Sequence, residues 1–135
     1  MKNIFDILSK NNWQKHIVEN NNFEKIIGLY NFPDDYLGFI KQCWGEGYIG
    51  KNYLSIWKPE WVEQLNIDYQ IQKYLGFNCY GFGTDGGDYC YLFDNKNGPK
   101  IIISELGDLN YKDVKIISGT FFELIEKMDK KYIEY

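Results

Sequence analysis

One histidine, three cysteines, two close pairs of aspartates and one glycine-rich stretch are the residues of this 135-residue chain whose types could do chemistry. A Cys–His or Ser–His nucleophile would have to use His16, because the nucleophile needs a base within hydrogen-bond reach. Nothing in the spacing brings His16 to Cys43, Cys79 or Cys90, so the expectation is a surface or locally packed histidine. No Cys-x-x-Cys pair occurs and His/Cys ligand spacing for zinc is missing. The odd number of cysteines reads as reduced, buried thiols of a cytoplasmic protein. Asp34–Asp35 and Asp85/Asp88 are pairs of the kind that can share acid–base work. The first is better explained by the positive end of a helix, the second by a turn containing Gly86 and Gly87. The reading therefore has no catalytic residue, no cofactor and no metal.

The glycine-rich stretch "GFGTDGGDYCYLFD", residues 81–94, matches Gly-x-Gly-x-x-Gly as letters. That pattern binds phosphate only where a helix N-terminus follows, and here an aromatic-alternating strand follows. A calcium loop counted from Asp94 to Glu105 also fails. Its third position is Lys96, where an oxygen ligand is needed, and its sixth is Pro99, where the sharp turn needs glycine. What remains is a β-hairpin. Asp85-Gly86 predicts a two-residue turn with positive φ at both positions. That turn would set Phe82 opposite Tyr89 and Tyr80 opposite Tyr91 on one face. On the other face Gly81 would meet Cys90 and Cys79 would meet Leu92, with the glycines leaving room for a helix.

The elements that must position these residues follow from periodicity and punctuation. Ile4, Phe5, Leu8 and Trp13 fall at helical spacing, and so do Phe23, Ile26, Ile27 and Tyr30. Pro33, Asp34 and Asp35 start a helix whose apolar face is Tyr36, Leu37, Phe39, Ile40, Cys43 and Trp44, with Gly45 and Gly47 as its end. Tyr53–Trp57 reads as a strand, and Pro59 opens a helix carrying Trp61, Val62 and Leu65. Residues 76–83 and 87–94 form the hairpin, followed by strands at Lys100–Glu105 and, more weakly, Val114–Ile117. Thr120 and Glu123 make a capping box for a last helix with Phe121, Leu124, Ile125 and Met128 on one face. Helices, then mostly strands, then a helix predicts an α+β single domain: a largely antiparallel β-sheet with helices packed against it.

Composition narrows the partners. Aromatics make up 19% of the chain, ample material for a core. The net charge is −4 and every one of the 15 basic residues is lysine. Without arginine, the preferred fork for phosphates and guanine edges, direct nucleic-acid binding is disfavoured. An acidic surface suits a basic partner. No apolar run approaches the roughly 18 residues of a membrane span, and no secretory leader is recognisable. The expected location is the cytoplasm.

Three blocks together resemble the SMI1/KNR4 family of the SUKH superfamily. "FPDDYLGFIKQCWGEG" is similar to its proline–aspartate–tyrosine opening. "GFGTDGGDYCYLFD" is similar to its Gly-x-Asp-Gly-Gly-Gly hairpin, with Asp88 standing where the third glycine would be. "SGTFFELIEKM" is similar to its closing helix. The resemblance covers about residues 22–129 and leaves residues 1–21 as an N-terminal helical extension of one domain spanning 1–135. It implies an α+β fold and no catalytic residues. It further implies a cytoplasmic immunity protein that binds and neutralises a cognate protein toxin, often a nuclease. The alternative implied by fungal relatives is a regulatory scaffold without a toxin partner. Candidate partner contacts are Asp34, Asp35, Glu46, Trp57, Trp61, Asp85, Asp88 and Tyr89, since aromatic anchors with acidic surrounds suit a basic interface.

Overall fold

The structure, a computed structural model, describes residues 3–19 and 30–134. Among these it places seven strands in a single antiparallel sheet, with five α-helices packed against it. The strands are β1 (Gln14–Ile17), β2 (Cys43–Ile49), β3 (Asn52–Ile56), β4 (Cys79–Thr84), β5 (Tyr89–Asp94), β6 (Lys100–Glu105) and β7 (Lys115–Ser118). They lie side by side in sequence order, as a meander. The helices are α1 (Ile4–Lys10), α2 (Asp34–Ile40), α3 (Pro59–Asp68), α4 (Ile71–Leu75) and α5 (Phe121–Lys130). No described helix is long and apolar enough to cross a membrane. The helix expected over Phe23–Tyr30 lies, except for its last residue, outside the described residues.

Alternation along the strands divides the side chains between two faces. On the first face α1, α2 and α5 close over an aromatic core. Phe82 stacks on Phe93 at 4.2 Å, and Tyr36 meets Phe93 at 5.0 Å and Phe121 at 5.5 Å. At the start of α5 half of the expected capping box forms, with Glu123 reaching past the cap residue: Thr120 Oγ1 accepts the Glu123 amide at 3.0 Å. The Glu123 carboxylate accepts the amide of Gly119 at 3.2 Å. On the second face α3 and α4 cover β4, bringing Ile71 and Trp57 against Gly81.

Three expectations are corrected. The helix begun at Asp34 stops at Ile40, and Cys43–Ile49 is a strand. Gly45 and Gly47 are therefore inside β2 and do not end a helix. Gly45 has a packing reason: a Cβ there would run into the Gln14 carbonyl and lie 2.9 Å from the Trp13 ring. Trp13 is buried across the strand, and its indole Nε1 donates to the Leu54 carbonyl at 3.0 Å. Second, residues 3–19 supply β1 as well as a helix, so the N-terminal segment contributes a strand to the sheet.

Third, the hairpin register differs. Cys79 pairs with Asp94, Tyr80 with Phe93 and Gly81 with Leu92; a bulge at Phe82 then shifts Gly83 to Tyr91 and Thr84 to Cys90. The loop is longer than two residues because the Asp85 side chain organises it. Its Oδ1 accepts the Gly87 amide at 2.9 Å and the Tyr89 amide at 3.2 Å, and the Asp85 amide donates to the Tyr89 carbonyl. Of the two expected positive-φ positions, Gly86 is one, at +83°, and Asp85 is not.

Candidate functional site

The second face of the sheet is covered unevenly. Over β4 it is buried beneath α3 and α4. Over β1–β3 it meets solvent, at Gln14 and His16 of β1 and at Glu46 and Tyr48 of β2. The sequence of β2, Cys-Trp-Gly-Glu-Gly-Tyr-Ile, builds this directly. Cys43, Gly45 and Ile49 turn into the core, while Trp44, Glu46 and Tyr48 alternate outward. Pairing with β1 puts His16 opposite Trp44 and Gln14 opposite Glu46. Pairing with β3 puts Tyr53 opposite Tyr48 and Ser55 opposite Glu46.

These side chains form two aromatic groups. At one end His16 stacks on Trp44 at 4.5 Å, and Trp44 meets Trp61 of α3 at 5.8 Å. The Lys58 ammonium lies 5.7 Å from the Trp44 ring and 5.4 Å from the Trp61 ring, in cation–π range of both, and is paired with Glu60. Trp61 remains 51% exposed. At the other end the Tyr48 ring stands edge-on to Tyr53 at 5.1 Å, with Tyr48 61% exposed. The Tyr53 hydroxyl donates to Glu46 Oε2 at 2.7 Å, and this bond raises the tyrosine's pKa above its ordinary value.

The turn of the β4–β5 hairpin borders this second group. A Cβ built on Gly86 would lie 2.6 Å from the Tyr53 ring. The structure thus brings Glu46, Trp61 and the turn that carries Asp85 and Asp88 to one side of the molecule. Asp34 and Asp35 lie elsewhere, in α2, and Trp57, on the same sheet face, is buried against Gly81. Asp34 is exposed in the first turn of α2. Asp35 serves the fold: Oδ1 accepts its neighbour Tyr36's amide, and Oδ2 accepts the Phe122 amide at 2.9 Å, at the start of α5. Trp57 is 7% exposed and stacks on Tyr69 at 6.3 Å. Tyr89 is half-buried beside Glu105, Asp108 and Asp113.

The chain matches no protein-family model and no curated protein.

The chemistry of the face is then that of its own residues. Among the described residues no group of three His, Cys, Asp or Glu side chains could hold a metal ion. The three thiols are buried. Burial pushes Cys43 up to about 11 and Cys79 to about 12, and Cys90 is raised further still, so none is a thiolate at neutral pH. His16 uses its ring face against Trp44. What the arrangement offers is contact: large, half-rigid aromatic surfaces beside a carboxylate, the composition that partner-binding surfaces favour. Sequence reasoning missed Trp44, Tyr48, Tyr53, Lys58 and His16 as members of this face. The signal was the period-two alternation Trp44-x-Glu46-x-Tyr48, hidden by reading the segment as a helix end.

Proposed function

We propose that this chain is a non-catalytic protein-binding module of the immunity type, which neutralises a basic protein toxin by covering it. The observation that carries the reading is the open face of β1–β3. There Trp44, Trp61, Tyr48 and Tyr53 lie on one sheet face with Glu46, and Trp61 and Tyr48 are 51% and 61% exposed. Exposed tryptophan and tyrosine are costly to leave in water and rewarding to bury against a partner. The resemblance of three sequence blocks to the SMI1/KNR4 family supports the toxin-neutralising form of this reading. The net charge of −4 suits a positively charged partner, whose approach it would accelerate.

The test is co-expression with the C-terminal domain encoded by a toxin-like reading frame beside this gene. The expected result is rescue of growth and co-purification of the two proteins. If neither occurs at low salt, where charge steering is strongest, the pair is not a toxin and its antidote.

A further inference from the structure

We infer that Glu46, framed by Tyr48 and Tyr53, seats an arginine side chain of a basic partner protein. This inference rests on the reading of the open face as a partner surface and deepens it by naming the group recognised. Glu46 Oε2 is fixed by the Tyr53 hydroxyl at 2.7 Å. Its other oxygen has no hydrogen-bond partner among the described residues, and no described lysine pairs with it. The carboxylate is therefore held in place by one oxygen and open at the other. The Tyr48 ring, 61% exposed, lies two residues along the same face of β2 and packs edge-on with Tyr53, which holds the carboxylate.

Among the described residues the chain's own cations do not satisfy this site. Lys58, on the same face, is engaged by Trp44, Trp61 and Glu60. Lys15 alternates with His16 along β1 and so points to the other side of the strand. Asp85 and Asp88, in the turn against Tyr53, add negative charge along the rim. A carboxylate beside an open ring is the setting in which guanidinium exceeds ammonium. The planar fork pairs with the carboxylate and stacks on the ring together, whereas lysine offers a single point charge. The chain holds no arginine of its own, so no internal guanidinium competes for the site.

The test uses the full ¹⁵N-labelled protein titrated with alternating arginine–glycine, lysine–glycine and glutamate–glycine hexapeptides. Amide shifts from the arginine peptide are expected to centre on Trp44–Tyr48 and Tyr53–Ser55 and to exceed those from the lysine peptide. Glu46→Gln, an exposed and near-isosteric change, is expected to weaken the arginine peptide about tenfold, the loss of one charge-assisted hydrogen bond. Tyr48→Ala, checked for folding by circular dichroism, should weaken it as well. Shifts centred instead on Glu105, Asp108 and Asp113, equal binding of the two basic peptides, or unchanged affinity in Glu46→Gln would overturn the inference. Peptide binding at Glu46 without protection from any neighbouring toxin would count against the immunity reading alone. Protection that survives Glu46→Gln undiminished would count against the arginine seat alone.

Discussion

Asn66 of α3 takes both main-chain hydrogen-bonding groups of Gly81 in β4. Its Nδ2 donates to the Gly81 carbonyl at 3.0 Å, and its Oδ1 accepts the Gly81 amide at 2.8 Å. The side-chain amide thus does what a neighbouring strand would do. β3 pairs with β4 only at Ser55–Thr84 and Ile56–Gly83 before the chain leaves for α3, so the rest of β4 has no strand on that side. Asn66 fills that role at Gly81, and Gln72 does so at Cys79, whose carbonyl accepts its Nε2 at 2.8 Å. The remaining capacity of Asn66 is used by the Val62 carbonyl and by Gln72, which leaves the buried amide fully satisfied.

Replacing Asn66 by alanine would strand a buried amide and a buried carbonyl at once. The expected cost is about 2–5 kcal/mol, from one to three for each unsatisfied group less local relaxation. Urea denaturation followed by tryptophan fluorescence measures it. A midpoint shift corresponding to less than about 0.5 kcal/mol would show that water or Gln72 replaces the clamp.

Gly86 has φ +83° and its missing Cβ would press on the Tyr53 ring. Gly86→Val is expected to destabilise by about 2–4 kcal/mol, combining backbone strain with the clash. Gly87→Ala is the control. Its added methyl would meet only Asp85 Oδ1, at 3.5 Å, and the change should stay within about 0.5 kcal/mol. Equal thermal midpoints for the two variants would refute the assigned turn.

Asp94 is buried at the end of β5, which by itself raises its pKa. The Tyr111 hydroxyl at 2.6 Å, the Lys96 amide at 2.8 Å and the Lys100 ammonium at 3.3 Å outweigh burial and hold it below its ordinary value. A depressed carboxylate contributes stability above its unfolded pKa and loses it as pH falls through the folded one. Tyr111→Phe is therefore expected to cost about 1 kcal/mol at neutral pH, with the difference from wild type shrinking as the solution is acidified below about pH 4. A difference independent of pH would mean that Tyr111 acts by packing alone.

The thiols are expected to resist Ellman's reagent in the native protein at pH 8, because all three are buried and raised. Three equivalents should react promptly in denaturant. Fast reaction of one thiol in the native state would show that its surroundings open to solvent.

The elements legible in the sequence are those whose signals are local. Thr120, Glu123 and the Phe121–Leu124–Ile125–Met128 stripe fixed α5 from short-range rules alone, and Lys100–Glu105 announced itself by a run of isoleucines. The hairpin was half legible. Asp85-Gly86 marks a turn, but the number of residues in it depends on where the Asp85 carboxylate bonds, and Phe82 adds a bulge. A two-residue shift at Cys79 and Gly81 keeps every side chain on its face, so the assignment of Gly81 and Cys90 to the helix-covered side survives the wrong register. β2 was illegible for a different reason. Its glycines answer to Trp13, thirty-odd positions away in sequence, and only tertiary contact distinguishes that use from a helix end. The same loss hid the candidate face, since Trp44 and Tyr48 point outward together only once Cys43–Ile49 is a strand.

The most direct test of the central claim is the affinity of the proposed protein partner, taken from any toxin-like reading frame found beside this gene, for Trp61→Ala and Tyr48→Ala, measured by calorimetry beside Asp34→Asn. Both aromatics are exposed, so folding should be retained, and each substitution is expected to weaken binding by about tenfold to a hundredfold, the range of an interface anchor. Asp34→Asn, on the far side of the sheet, should leave affinity unchanged. Wild-type affinity in both aromatic variants, with loss in Asp34→Asn, would contradict the account and move the binding surface to α2.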